Sequence, residues 1–102
     1  MLAMLLAAAA LVAAAPRVAD ARDQDELRRD EVRRAVESGE IHSLADILSA
    51  LRGKLPGEVA GVEIEHKGDR WHYEFRVVDG QGRLFEVHVD ARSGEIEHIK
   101  EK

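Results

Sequence analysis

Tyr73-Glu74-Phe75-Arg76-Val77-Val78, followed by Val87-His88-Val89-Asp90-Ala91-Arg92-Ser93-Gly94-Glu95-Ile96, decides the fold. Both stretches alternate apolar and polar residues with period two, the pattern of strands with one buried face and one wet face. Asp90 to Gly94 then supplies turn chemistry. An aspartate can bond to its own backbone two residues on, and a glycine takes positive φ at no steric cost.

The same alternation continues on either side. Val62 and Ile64 alternate with Glu63 and Glu65, Trp71 precedes His72 and Tyr73, Phe85 precedes Glu86 and Val87, and Ile96 opens a short fourth run. Turn residues fall at Lys67-Gly68-Asp69, Gly80-Gln81-Gly82 and Ala91-Arg92-Ser93-Gly94. Connections this short make antiparallel neighbours. A slip of one residue turns a whole strand over, so register is testable on paper. Pairing Asp79 with Arg83 sets Val77 against Phe85, Phe75 against Val87 and Tyr73 against Val89. On the other face it sets Arg76 against Glu86, Glu74 against His88 and His72 against Asp90. Each is a complementary pair of a kind worth a few tenths to about 1 kcal/mol. For the first hairpin, Ile64 against Trp71 and Glu65 against Arg70 meets the same conditions.

The sheet needs a cover. Ser43 to Leu55 reads as a helix with Ser43 as N-cap, Asp46 in the first turn and a stripe of Leu44, Ile47, Leu48, Leu51 and Leu55. Pro56-Gly57 stops it. Asp23 to Ser38 reads as a second, charged helix with Asp23 as cap, Glu26 completing a capping box and Gly39 at its end. Asp25 with Arg29 and Asp30 with Arg34 stand at i,i+4, the acid first. Its apolar face is thin, with Val32, Ala35 and Val36 clustered and Leu27 well round the helix, so loose docking is expected. The expected fold class is α+β: one helix packed on an antiparallel three- to four-stranded meander, preceded by a charged helix. Trp71, Tyr73, Phe75, Phe85, Val87, Leu48 and Leu51 are the expected core.

Met1 to Ala15 is an apolar run too short for a membrane span, which needs about 20 residues, but of signal-peptide length. Ala19-Asp20-Ala21 fits a signal-peptidase site and leaves Arg22 first. Ala13-Ala14-Ala15 fits less well because Pro16 follows it. Residues 1–3 hold no Lys or Arg, so the leader is weakly charged or the start lies upstream. The expected organisation is a signal peptide at 1–21, a charged helix and linker at 22–42 and one domain at 43–102, with no membrane span after cleavage. Cysteine is absent, which excludes disulfides and thiol chemistry. The net charge of −5 is spread through mixed-sign residues, and without a basic stripe nucleic acid is not an expected ligand.

The run of helix, Pro56-Gly57-Glu58-Val59, Trp71-His72-Tyr73-Glu74-Phe75 and Val87-His88-Val89-Asp90-Ala91-Arg92-Ser93-Gly94-Glu95-Ile96 resembles the PepSY domain, with Ala45, Ile47, Leu48 and Leu51 matching on the helix. The resemblance covers residues 43–99. It implies a non-catalytic module of secreted peptidase propeptides and bacterial envelope proteins, proposed to inhibit or regulate peptidases near the cell surface, and it carries over no catalytic residue. Together with the leader it implies a periplasmic location. No peptidase follows before Lys102, so inhibition in cis is not expected and action in trans is the option left open. The partner is expected to be an envelope peptidase or another periplasmic protein. The alternative is a periplasmic sensor or accessory domain that binds metal or peptide for a membrane signalling partner; a purely structural role is a third reading.

The residues add little enzyme chemistry. Ser38, Ser43, Ser49 and Ser93 sit in or beside helices and turns, where serine usually caps, and the carboxylates lie on the wet strand faces. No enzyme activity and no cofactor are expected. Arg70, His72, Glu74, Arg76, Glu86 and His88 form the candidate partner-binding face, and the edge strand around Val59–Glu65 could accept an added peptide strand, although Glu63 and Glu65 blunt that edge. Of the five histidines, His72 and His88 are diagonal neighbours near Glu63, Glu74 and Asp90, and imidazole with carboxylate binds zinc, copper or nickel. An ordinary polar face is the stronger expectation, because open sites without supporting groups bind metals weakly. His42 and His66 read as surface residues of the linker and a turn, and His98 could face either way.

Overall fold

The alternating stretches pair as expected into a meander. The computed structural model describes residues 18–102: helices α1 (Val18–Glu37) and α2 (Leu44–Ala50), then strands β1 (Glu58–Lys67), β2 (Arg70–Val78), β3 (Leu84–Asp90) and β4 (Ile96–Glu101). The strands form one antiparallel sheet in the order β1-β2-β3-β4. The apolar leader run lies outside the described residues, and Ala19–Ala21 falls at the start of α1.

The β2–β3 register is the one expected: Val77 faces Phe85, Phe75 faces Val87, Glu74 faces His88 and His72 faces Asp90. The Asp79 N–H donates to the Arg83 carbonyl at 3.0 Å and closes the turn. The first hairpin differs by two residues. Ile64 lies opposite Tyr73 and Glu65 opposite His72, while Lys67 and Arg70 close a turn of Gly68-Asp69 alone. Gly68 takes φ 63° and, among the described residues, no non-glycine residue takes positive φ, the pattern of a two-residue hairpin turn with glycine in first place. A slip of two keeps every side chain on its face, which is why the facing pattern could not detect it.

Both helices pack on the inner face. Ser43 caps α2, its Oγ accepting the Asp46 N–H at 3.2 Å. Regular helix stops at Ala50, not Leu55, because Leu51 is the C-cap and Gly53 enters the left-handed region at φ 77°. Leu55 still packs on the core. Ile47 and Leu51, four apart, are each 1% exposed, whereas Leu48 is 38% exposed. Leu48 is therefore not core: it stands one step round a helix of two turns, whose buried line runs through Leu44, Ile47 and Leu51. Trp71, Tyr73, Phe75, Val77, Val87, Val89 and Ala91 form the buried sheet face, with Phe85 half-buried at its margin.

α1 begins ahead of Asp23, so that residue lies inside the helix and caps nothing. Ala19 and Ala21 are strong helix formers that let the helix extend back. Its C-terminus ends as expected at Gly39, φ 76°. Glu40 N–H donates to the Ala35 carbonyl at 2.9 Å and Gly39 N–H to that of Val36 at 3.1 Å, the paired bonds of a Schellman ending. Ala35 is buried and Val32 and Val36 pack beside it. His66 supplies the second anchor. It is a surface residue beside the turn, as expected, but an engaged one: its ring stacks on Trp71 with centroids 4.0 Å apart, and Nδ1 lies 2.9 Å from Glu31 Oε1 on α1.

Candidate interaction surface on the outer sheet face

With the apolar side chains turned inward and both helices packed on that side, the opposite face is polar. Arg70, His72, Glu74 and Arg76 project from β2, Glu86 and His88 from β3, so all six candidate residues share one face. β1 adds Glu63 and Glu65, and β4 adds Glu97, His98 and Lys100.

Apart from Glu74 with His88, the ion pairs are not those that lie directly opposite in the ladder. Arg76 pairs with Glu63 of β1 at 2.7 Å, not with Glu86. His72 Nδ1 lies 2.9 Å from Glu97 of β4, not against Asp90. Arg70 takes Asp90 at 2.7 Å and reaches Glu97 at 3.2 Å. Glu86 receives Lys102 at 3.1 Å. Glu97 gains this reach from the irregularity where pairing passes from His88↔His98 to Val89↔Ile96. An extra residue in one strand re-aims its side chain. Nothing in the residue pattern announced that bulge, so Glu97 was not among the expected residues. His98 faces outward, its ring stacked on His88 with centroids 4.1 Å apart.

Asp90 is the most constrained acid of this face. Its Oδ2 accepts from Arg70, and its Oδ1 accepts the N–H groups of Arg92 at 2.8 Å and Ser93 at 2.9 Å. The guanidinium first, then these N–H groups, hold its pKa down to about 2. Arg70 is raised in turn, chiefly by the bond to Asp90. The turn closes on Gly94, φ 76°, whose N–H donates to the Asp90 carbonyl at 2.8 Å. Asp90 and Gly94 thus shape the turn, while Arg70 ties it to β2.

In the middle of the face the balance differs. Glu74 has its pKa raised, first by the adjoining Glu86 carboxyl and then by burial, with the acids Glu65 and Glu63 adding to it. Glu86 is lowered by its hydrogen bonds with Glu74 and Lys102. His72 and His88, diagonal neighbours and only weak metal candidates from the sequence, turn to different partners. His72 joins Glu97, whereas His88 Nε2 sits 3.9 Å from a carboxylate oxygen of Glu74 and of Glu86.

At the β1 end, Gly57 is demanded by packing. A Cβ there would collide with the Val78 carbonyl oxygen and lie 2.7 Å from Asp79 Cα. β1 pairs only with β2, and its pairing is irregular between Val59 and Gly61, so the expected edge strand is an edge with a kink in it.

Residues 43–99, more than half of the chain, match the family described as peptidase propeptide and YPEB domain, PepSY. The chain belongs to the PepSY family. The match begins at the Ser43 cap and ends in β4. It takes in α2, the Pro56-Gly57 break, the three hairpins and the Asp90–Gly94 turn, and leaves α1 outside. PepSY modules are generally non-catalytic and of the propeptide or inhibitor kind. Comparison with curated proteins and with solved structures found no significant match. Among the described residues no helix is long and apolar enough to cross a membrane.

Proposed function

We propose that this PepSY chain is an exported, non-catalytic regulator that binds an envelope peptidase through the outer face of its sheet. The observation that carries the reading is the family membership together with an outer face that neither α1 nor α2 covers. Arg70, His72, Glu74, Arg76, Glu86 and His88 supply charges of both signs there, which favours a partner with a complementary charged surface over an apolar one. The leader at residues 1–21 would deliver the domain to the periplasm, where it would meet such a peptidase.

The test is a pull-down from periplasmic extract with the chain as bait, followed by protease assays on whatever is recovered. A recovered peptidase slowed by the domain, and less so by an Arg70→Ala/Arg76→Ala double variant, is the expected result. Recovery of no peptidase, with no inhibition at tens of micromolar domain (weaker than roughly −6 kcal/mol), would remove the inhibitor reading. Mass spectrometry of the mature N-terminus tests export: Arg22 is the expected first residue, and an intact Met1 in a membrane fraction would mean an uncleaved anchor.

A further inference from the structure

Most charges of the outer face are matched: Arg70 with Asp90 and Glu97, Arg76 with Glu63, His72 with Glu97. The centre is not. Glu74 has no arginine or lysine nitrogen within 4.0 Å among the described residues, and its nearest base is His88. Glu74 pairs with His88 and Arg76 with Glu86 in the ladder, so Glu74 and Glu86 are diagonal neighbours. One ligand atom from each of Glu74, Glu86 and His88 lies within 4.8 Å of the others.

We propose that Glu74, Glu86 and His88 form a binding site for a divalent transition metal, with zinc the best-fitting ion. The donor set is one imidazole nitrogen and two carboxylate oxygens, a combination zinc accepts with a fourth position left to water. Bonds of about 2.1 Å in tetrahedral geometry set ligand atoms about 3.4 Å apart. His88 Nε2 stands 3.9 Å from Glu74 Oε1 and 3.9 Å from Glu86 Oε2. Closing that gap takes about half an ångström, within reach of small torsions in two glutamate side chains.

Two surroundings favour the cation. The side chains are only 16%, 19% and 25% exposed for Glu74, Glu86 and His88, so bulk water screens the site less than an open surface. The His98 ring, stacked on His88 at 19° between planes, restricts the imidazole while Nε2 faces the carboxylates. Lys102 Nζ, 3.1 Å from Glu86 Oε2, is the cation a metal must displace. The site lies within the face proposed for the peptidase, but zinc binding is measured on the chain alone, so failure of one reading leaves the other testable.

Zinc titration of the full chain by calorimetry, repeated with a colorimetric zinc indicator as competitor, tests it. One zinc per chain is expected. His88→Ala, Glu74→Gln and Glu86→Gln should each weaken binding at least tenfold, while His72→Ala leaves it unchanged and Lys102→Ala tightens it. Metal-free melting curves of the variants show whether they remain folded, and the His88 ring resonances should shift on adding zinc while those of His42 stay put. Absence of saturable binding up to millimolar zinc, or a wild-type titration in His88→Ala, overturns the site. Loss of binding in His72→Ala with retention in His88→Ala does so equally.

Discussion

The phenolic hydroxyl of Tyr73 donates to the main-chain carbonyl of His42 across 3.0 Å, fastening the segment between the helices to the sheet. The His42 N–H donates onward to the Ala91 carbonyl at 2.8 Å, and the Ala91 N–H to the Trp71 carbonyl at 3.0 Å. Burial pushes the Tyr73 pKa up, so the phenol stays a neutral donor. Tyr73→Phe keeps the ring and removes the donor. The expected loss is about 1–2 kcal/mol, a net hydrogen bond plus the partly buried carbonyl left unpaired. Urea unfolding should show a lower midpoint with an unchanged slope.

Phe75 lies at the centre of the inner face, fully buried and paired across the ladder with Val87. Phe75→Ala should cost about 3–5 kcal/mol, the range for emptying a core position of this size. A domain this small rarely has more than about 3–5 kcal/mol in hand, so the variant should lose its cooperative melting transition. An unchanged transition would mean that the core is elsewhere.

Gly57 and Gly94 fail for different reasons, and the difference is measurable. At Gly94 an added Cβ meets only Ile47 Cδ1 at 3.5 Å, ordinary contact, so Gly94→Ala suffers the left-handed backbone alone, about 1–2 kcal/mol. At Gly57 the obstacle is the Val78 and Asp79 backbone, which cannot rotate away. Gly57→Ala should therefore be the more destabilising of the two, with the β1–β2 amides losing hydrogen-exchange protection first.

Asp90 makes stability depend on acid. Its pKa falls from 3.8 in the unfolded chain to about 2 in the fold. At about 1.4 kcal/mol per unit, and with its side chain only 17% exposed, ionised Asp90 contributes on the order of 2 kcal/mol. The depressed pKa sets the sign: the contribution is present in full above about pH 4 and is lost as pH falls toward 2. Asp90→Asn should be clearly less stable than the parent at pH 7, and the gap should close by pH 2. A constant gap between pH 7 and pH 2 would show that the carboxylate charge is not what stabilises the turn.

How much was legible beforehand follows the range of each interaction. The alternation in Tyr73–Val78 and Val87–Asp90, the Ser43 cap, Gly39 and the Asp90–Gly94 turn are local matters of periodicity and φ, and the residues alone determined them. The β2–β3 register was legible because Gly80-Gln81-Gly82 leaves little slack and both faces had to match at once. The β1–β2 register was not, since sliding by two residues preserves every facing, and only the closed Gly68-Asp69 turn selects among such slips.

The same division applies to the outer face. That Arg70, His72, Glu74, Arg76, Glu86 and His88 share it was a consequence of period two, written in the chain. Which acid each base takes was decided by the tertiary structure, because long side chains reach diagonal neighbours and adjoining strands as readily as the residue directly opposite. The bulge that aims Glu97 at Arg70 and His72, the stacking of His66 on Trp71 that holds α1, and the meeting of Glu74 and Glu86 at His88 all depend on residues far apart in sequence. Periodicity carries no information about those distances; only the folded sheet brings the groups within reach.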